Sequence, residues 1–189
     1  MTPEPVRVVL PKGAAIWVRP IAPEDKDQIR IGLERLGTES NYRRFHRVVR
    51  VLTADELAYL TEIDHRDHDA WGAQIEVDGT RQPAGVARYV RLGESTDAEA
   101  AVTVLDEYQG LGIGSFLLEV LARAAGRNGI ERFVGNVLAE NRAMLEVFTH
   151  LEATFEQDGP YVTAYVSLPL VHEWAAESAA RVVGSFGAS

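Results

Sequence analysis

The residues best suited to chemistry form a glycine-rich loop after a short apolar run, Val102 to Leu105. Residues 109–115 read Gln-Gly-Leu-Gly-Ile-Gly-Ser, and a segment with helical spacing follows them. Glycines at every second position let the backbone approach a ligand closely. The following helix would offer free N–H groups and the positive end of its dipole. These features predict an anion site, most naturally for a pyrophosphate.

The glycine spacing excludes two common phosphate-binding motifs. A dinucleotide fingerprint needs Gly-x-Gly-x-x-Gly, but neither Gly110 nor Gly112 is followed by a glycine five residues later. A P-loop needs Gly-Lys-Ser/Thr, and no lysine lies near this loop in the sequence. The pattern that fits is Gln/Arg-x-x-Gly-x-Gly/Ala, formed by Gln109, Gly112 and Gly114. An ordinary strand-to-helix turn is the alternative interpretation of the loop alone.

Two other stretches carry reactive or charged side chains. Residues 64–69 (Asp-His-Arg-Asp-His-Asp) have a metal-like composition, but they precede a strand, where His65 and His68 would point to opposite faces. A solvated turn is therefore the favoured interpretation. Residues 40–51 contain four arginines with aromatic residues between them. They predict a short amphipathic helix that buries Tyr42 and Phe45, or else one wall of a ligand groove.

Composition excludes several classes of protein. The 189 residues contain no cysteine, which excludes disulfides, thiolate metal sites and cysteine nucleophiles. A net charge of −9 argues against a nucleic-acid partner. No apolar run is long enough to span a bilayer and no signal peptide is visible, so we expect a cytoplasmic protein without a membrane partner. We expect no metal.

Hydrophobic periodicity and turn residues predict three regions. They are an extended N-terminal arm (1–13), one domain (14–168) and a C-terminal tail (169–189) with a possible helix over 171–183. Within the domain the expected helices begin at Pro23, Thr53, the glycine loop and Asn141. The expected strands are 14–19, 70–77, 83–91, 98–105, 133–138, 153–157 and 161–168.

This order of elements and two motifs carry a family resemblance. Together with Gln109-x-x-Gly112-x-Gly114 and residues 139–144 (Ala-Glu-Asn-Arg-Ala-Met), it resembles the GCN5-related N-acetyltransferase (GNAT) superfamily over about 14–168. Three segments are similar to the bacterial Pat-type protein lysine acetyltransferase domain: 18–25 (Val-Arg-Pro-Ile-x-Pro-Glu-Asp), 40–45 (Ser-x-Tyr-x-Arg-Phe) and 98–101 (Ala-Glu-x-Ala).

The resemblance implies an α/β (α+β) fold with acetyl-CoA as cosubstrate. We expect a mixed central sheet of about six to seven strands, helices on both faces, and a splay between strands 102–105 and 133–138. Asn141 matches the family asparagine that bonds the pantetheine arm, although a plain helix N-cap is an equal alternative. The expected coenzyme A contacts are Val102, Thr103, Val104, Gln109, Gly110, Leu111, Gly112, Ile113, Gly114, Ser115 and Asn141.

The resemblance also implies acetyl transfer to a primary amine. Glu99 matches the Pat-type glutamate proposed as general base; the alternative is an edge-strand carboxylate that faces water. The family's tyrosine, seven residues after the asparagine, is replaced by Phe148, and Tyr108 and Tyr161 are possible substitutes. A protein lysine is the expected acceptor. A small-molecule amine, or a non-catalytic acyl-CoA-binding regulatory module, is the alternative, and the protein would be a monomer or a homodimer.

Overall fold

The computed structural model describes residues 4–45, 51–170 and 173–187. Within these ranges it describes every side chain except those of residues 43–45 and 173. Its strands are β1 Val6–Val9, β2 Ala15–Pro20, β3 His68–Val77, β4 Thr80–Arg91, β5 Asp97–Val104, β6 Arg132–Leu138, β7 Thr154–Asp158 and β8 Tyr161–Ser167. Its α-helices are α1 Lys26–Arg35, α2 Thr38–Phe45, α3 Ala54–Thr61, α4 Ile113–Arg127, α5 Arg142–His150 and α6 Glu173–Phe186.

The strands form one mixed sheet in the order β1-β2-β3-β4-β5-β6-β8-β7. Every neighbouring pair is antiparallel except β5 and β6, which are parallel and connected by α4. Such a strand–helix–strand crossover is the ordinary way to place parallel neighbours. The predicted mixed sheet with helices is confirmed, with eight strands in the described residues instead of six to seven.

The additional strand comes from the segment that was expected to be an extended arm. Val6–Val9 pairs with β2 from Val6↔Val18 to Val9↔Ala15. Val8 is buried and Val9 is 56% exposed, which is the alternation of a half-buried edge strand. The expected arm was therefore wrong for these four residues, because the prolines around them obscured a short alternating pattern.

Helices cover both faces of the sheet. On β4, Ala87 and Tyr89 belong to the main core, which includes residues of α4 and α6. Arg88 points to the opposite face and donates a hydrogen bond to the carbonyl of Leu60 at the end of α3 (3.0 Å). A smaller cluster there joins Leu33 of α1 with Leu52 and residues of α3. We call these the α4 face and the α1 face.

A buried ion pair fixes the start of the α1 face. Arg19 at the end of β2 holds both carboxylate oxygens of Asp25 (2.7 and 2.5 Å), and Asp25 also accepts from the N–H of Ala22 (2.8 Å). Asp25 is only 3% exposed. Bidentate arginine–carboxylate pairing fixes the orientation of both groups as well as stabilising them. The segment 18–25 that contributed to the family resemblance is thus a structural joint between β2 and α1.

The acidic segment 64–69 is a turn followed by the first residues of β3. The Oδ1 atom of Asp64 accepts hydrogen bonds from the backbone N–H groups of residues 66, 67 and 68, each at 2.9 Å. Burial and the neighbouring Arg88 lower the pKa of His68 to about 4. The Nε2 atom of His68 lies 2.8 Å from Arg88, which can only donate, so this nitrogen accepts and the ring is neutral.

The neutral state of His68 makes the protein less stable as the pH falls. A histidine in the unfolded chain has a pKa of about 6.5, so between that pH and about 4 the unfolded state binds a proton that the folded state excludes. We predict that His68→Gln, which keeps an acceptor for Arg88, weakens the loss of stability between pH 7.5 and pH 5. The difference in slope is at most about 1.4 kcal/mol per pH unit.

Urea unfolding of both proteins across this pH range measures the difference. His150→Gln is the control, because His150 is exposed on α5 and its ring bonds the backbone carbonyl of Glu146 in the same helix. Identical pH slopes for the native protein and His68→Gln would contradict the assignment of a neutral, half-buried His68.

Candidate active site in the gap between two parallel strands

The centre of the molecule contains a gap between β5 and β6. The parallel ladder joins them at only three positions, from Asp97↔Arg132 to Glu99↔Val134. Beyond that point β6 continues to pair with β8, and β5 continues to pair with β4 as far as Val104↔Gly85. The two strands therefore separate, as the resemblance implied.

The edge of β5 that faces the gap carries backbone groups without a strand partner. Leu105, the residue after β5, donates its N–H to the carbonyl of Ala84 in β4 (2.9 Å). Because successive residues of a strand alternate in direction, the N–H and C=O groups of Val102 and Val104 point away from β4 and into the gap. The side-chain amide of Gln109 binds the carbonyl of Val104 (3.2 Å). An extended, peptide-like ligand could pair with this edge.

A cavity of about 510 Å³ fills the gap and reaches the glycine loop. Ten of the eleven residues that were expected to bind coenzyme A line it, and so does Glu99. The exception is Leu111, which packs against the main core. The lining residues on the far side come from β6 and α5: Gly135, Asn136, Val137, Asn141, Ala143, Met144, Val147 and Phe148.

The three glycines of the loop serve different structural needs. Gly110 and Gly112 have φ values of +75° and +91°, and a Cβ on either would meet open space. They are glycines because of backbone conformation. Gly114 sits close to β5, where a Cβ would lie 3.4 Å from a methyl group of Val104. Gly112 is the N-cap of α4, so the N–H groups of the first turn are free of intrahelical partners beside the cavity.

Residues far away in the sequence hold the start of the loop. Ser40 of α2 donates to the carboxylate of Asp106, which also accepts from Gln109 (2.9 Å). Arg35 of α1 forms an ion pair with Glu107 and donates to the Tyr108 hydroxyl (3.1 Å). Burial would lower the pKa of Arg35, but the contacts with Tyr108 and Glu107 outweigh burial and raise this pKa. Together, the contacts of Ser40 and Arg35 anchor the start of the loop to α2 and α1.

The described part of segment 40–51 shows features of both sequence interpretations, a short helix and one wall of a ligand groove. Residues up to 45 form α2, and Ser40 lines the cavity. Tyr42 is 42% exposed and Asn41 is buried in its place, so the expected burial of Tyr42 was wrong. The side chains of residues 43–50, with the four arginines and Phe45, lie outside the described part of the chain.

Glu99 lies where the two strands begin to separate. Its side chain is exposed and makes no hydrogen bond or ion pair with another described residue. Ala98 and Ala100 belong to the core beneath α4, so Glu99 projects toward the α1 face, as does Thr103. Thr103 also lines a second cavity of about 120 Å³ between the sheet and helices α1 and α3. A ligand on the α1 face would thus approach the gap beside Glu99.

The comparisons with known proteins agree with this geometry. The model of the acetyltransferase (GNAT) family matches residues 39–152, which is more than half of the chain. The chain belongs to the GNAT acetyltransferase family. The splay, the glycine loop and the eight-stranded sheet are therefore those of a GNAT acetyltransferase.

Named relatives of this GNAT chain come from several bacteria. It is 38% identical to Acetyltransferase Pat of Mycolicibacterium smegmatis, over 90% of this chain and 50% of that protein. It is 31% identical to Acetyltransferase PA5475 of Pseudomonas aeruginosa, over 79% and 80%. It matches the crystal structure of the GNAT domain of S. lividans PAT with a TM-score of 0.79 at 30% identity, over 87% and 97%. The chain spans about half the length of the first relative.

Asn141 is the N-cap of α5 in this GNAT domain. Its side-chain oxygen accepts from the N–H of Met144 (3.3 Å), and the residue also lines the cavity. The N-cap interpretation is thus confirmed. The contact with a pantetheine arm stays a prediction. The amide nitrogen of Asn141 is not used in the cap.

The position of the usual GNAT tyrosine is occupied by a tightly packed phenylalanine. Phe148 is 5% exposed, and a Cβ on Gly135 would lie 2.4 Å from its ring. Gly135 is the first residue of β6 beyond the ladder with β5. Of the possible substitutes, Tyr108 lines the cavity but bonds Arg35, and Tyr161 is absent from the lining.

Within 4–45, 51–170 and 173–187, no helix is long and apolar enough to cross a membrane. In the same ranges, no group of three or more His, Cys, Asp or Glu side chains is arranged to hold a metal ion.

The contact between Gly135 and Phe148 predicts a specific coupling. Gly135→Ala should destabilise the protein by about 1–3 kcal/mol, because the new methyl group overlaps the ring. In the double variant with Phe148→Leu, the loss should be smaller than the sum of the two single losses. Urea unfolding of the three variants measures this coupling.

Gly126→Ala is the matched control for that experiment. Gly126 lies in α4, and a Cβ there meets open space. Its replacement should be neutral or slightly stabilising. If Gly135→Ala were as stable as Gly126→Ala, the packing of Phe148 against β6 would be refuted.

Proposed function

We propose that this GNAT domain transfers an acetyl group from acetyl-CoA to a primary amine, and that the amine is a protein lysine. The observation that carries the proposal is the free edge of β5, which continues into the glycine loop along one cavity. An extended arm with amides and a pyrophosphate at one end has the shape and hydrogen-bonding groups for this site.

Two groups of cavity residues would bind two different parts of the cosubstrate. Backbone groups of Val102 and Val104 would pair with the pantetheine arm. The N–H groups of residues 110–115 at the start of α4 would bind the pyrophosphate. The remaining lining residues would shape the channel, with Asn141 at its far wall.

Acetyl-CoA supplies the acetyl group as a thioester, and the protein must supply a free amine beside it. A lysine amine has a pKa of about 10.4 and is protonated at neutral pH, so a proton must be removed before attack. Glu99 is the carboxylate in the cavity lining, and it is exposed at the point where β5 and β6 separate. We assign it as the general base.

The thiol side of the reaction needs less help from the protein. A thiol has a pKa of about 8.5, so the sulfur can leave as a thiolate. Phe148 has no proton to donate, and its ring is fixed against Gly135. We propose that protonation of the leaving sulfur by a side chain at this position is not part of the reaction. The carbonyl oxygen would be stabilised by a backbone N–H of β5.

Two observations bear on the identity of the amine. Glu99 is exposed, which suits an acceptor that is carried on another protein and does not need to be enclosed. The second cavity favours the alternative, a small amine with an apolar stem, because its lining includes Ile29, Leu33 and Leu60 and extends to Thr103. Its volume of about 120 Å³ is close to that of engineered cavities that bind benzene, which are about 150 Å³.

Replacement of the proposed base tests the mechanism. Glu99→Gln should lower kcat at pH 7 by about 10² or more, the usual contribution of a general base. The loss should shrink as the pH approaches the pKa of the amine, since less deprotonation is then required. Release of coenzyme A with a lysine peptide measures kcat, and calorimetry should show that coenzyme A binding is unchanged.

Glu76→Gln is the control, because Glu76 is exposed on β3 and does not line the cavity. Equal turnover of Glu99→Gln and the native protein across the pH range would refute the base assignment. Acetylation of small amines but of no protein or peptide lysine would favour the alternative acceptor. Tight binding of acetyl-CoA without transfer to any amine would instead indicate a regulatory module.

A further inference from the structure

A lysine from outside the glycine-loop motif reaches the proposed phosphate site. Lys12 lies in the tight turn between β1 and β2 and lines the large cavity. Its Nζ atom donates a hydrogen bond to the carbonyl of Gly110 at 2.6 Å. The turn and the loop are 98 residues apart in the sequence, so the contact is purely tertiary.

The turn holds the lysine in a defined place. Leu10 donates to the carbonyl of Ala14, and Gly13 donates to that of Leu10, each at 2.8 Å. Gly13 has φ of +87°, a conformation that glycine adopts without strain. The turn is therefore a short, closed hairpin connection, and its tip projects Lys12 toward the loop.

Lys12 is also distinctive in its charge. The sequence has no lysine or arginine between Arg91 and Arg123, so the loop and the first turns of α4 carry no basic side chain. Among the described residues that line the cavity, Lys12 is the one with a cationic side chain. The two acids at the start of the loop, Asp106 and Glu107, are held by Ser40 and Arg35.

We propose that Lys12 is the cationic anchor for the phosphate groups of the cosubstrate. A lysine ammonium has three N–H donors, and the bond to Gly110 uses one of them. The other two have no partner among the described residues and lie at the loop whose N–H groups are assigned to the pyrophosphate. In a chain with net charge −9, this local cation offsets repulsion of a polyanionic ligand.

The proposal rests on the proposed function, because it concerns the same site. It assigns Lys12 to the binding of phosphate and not to the acetyl transfer. Affinity should therefore depend on Lys12 only for ligands that carry phosphates. This dependence separates a charge contact from a general role of the β1–β2 turn in folding.

Calorimetric titration of the full chain tests the proposal without a measurement of activity. Lys12→Gln should weaken coenzyme A binding by about two- to fivefold at low salt, as expected for one exposed charged contact. Lys12→Arg should retain most of the affinity. Acetylpantetheine, which has no pyrophosphate, should bind the native protein and Lys12→Gln equally well.

Lys26→Gln is the matched control, because the sequence contains no third lysine and Lys26 pairs with Glu62 near α3, outside the cavity. It should leave coenzyme A affinity unchanged. Equal affinity of the native protein and Lys12→Gln for coenzyme A would overturn the inference and leave the proposed function intact. A native protein that does not bind coenzyme A would overturn both.

Discussion

The parallel ladder between β5 and β6 ends after three residue pairs, and much of the site follows from this ending. Each strand continues to pair with its other neighbour, so neither can curl to close the gap. The backbone groups of Val102 and Val104 then face the gap without a strand partner. Unpaired backbone groups beside a core are costly unless water or a ligand satisfies them. An extended, peptide-like ligand would supply the backbone hydrogen bonds that β6 does not make with this part of β5.

The surroundings of the gap keep the two strands apart and aligned. Phe148 packs on β6 at the first residue beyond the ladder, and Gly114 lets α4 lie close to the side chains of β5. On the other side, Ser40 and Arg35 fix the acidic start of the loop to α2 and α1. Helices α1 and α2 and the glycine loop are therefore one connected unit. An acceptor that touches those helices would also touch the supports of the loop.

Local sequence signals predicted the parts of the site that depend on local backbone chemistry. Glycine spacing predicted the loop, and Asn141 predicted the start of α5. Alternating apolar residues and turn residues predicted most of the strands. Contacts between distant segments had no such signal. Lys12 contacts Gly110 across 98 residues of sequence, and Arg35 contacts Tyr108 across 73. The local sequence around these residues contains no pattern that predicts either contact. Leu111 was grouped with the loop by position, although its side chain packs on the core.

Composition alone was a poor guide at two segments, and the prediction failed at one of them, the N-terminal arm. The prolines near the N-terminus suggested an extended arm. The strand β1 forms there instead, because Val8 is buried and the segment pairs with β2. Segment 64–69 has a metal-like composition, but its first residues form the expected turn: the Asp64 carboxylate accepts from three backbone N–H groups, and His68 accepts from Arg88. In both cases the deciding partners lie elsewhere in the chain or in its backbone.

Amide hydrogen exchange followed by NMR, with and without saturating coenzyme A, tests the central claim most directly. Ala101 and Thr103 face β4 and should be protected in both states, whereas Val102 and Val104 face the gap. The account predicts that coenzyme A slows exchange at Val102, Val104 and residues 110–115. Binding that leaves Val102 and Val104 unchanged would contradict the claim that the open edge of β5 holds the cosubstrate.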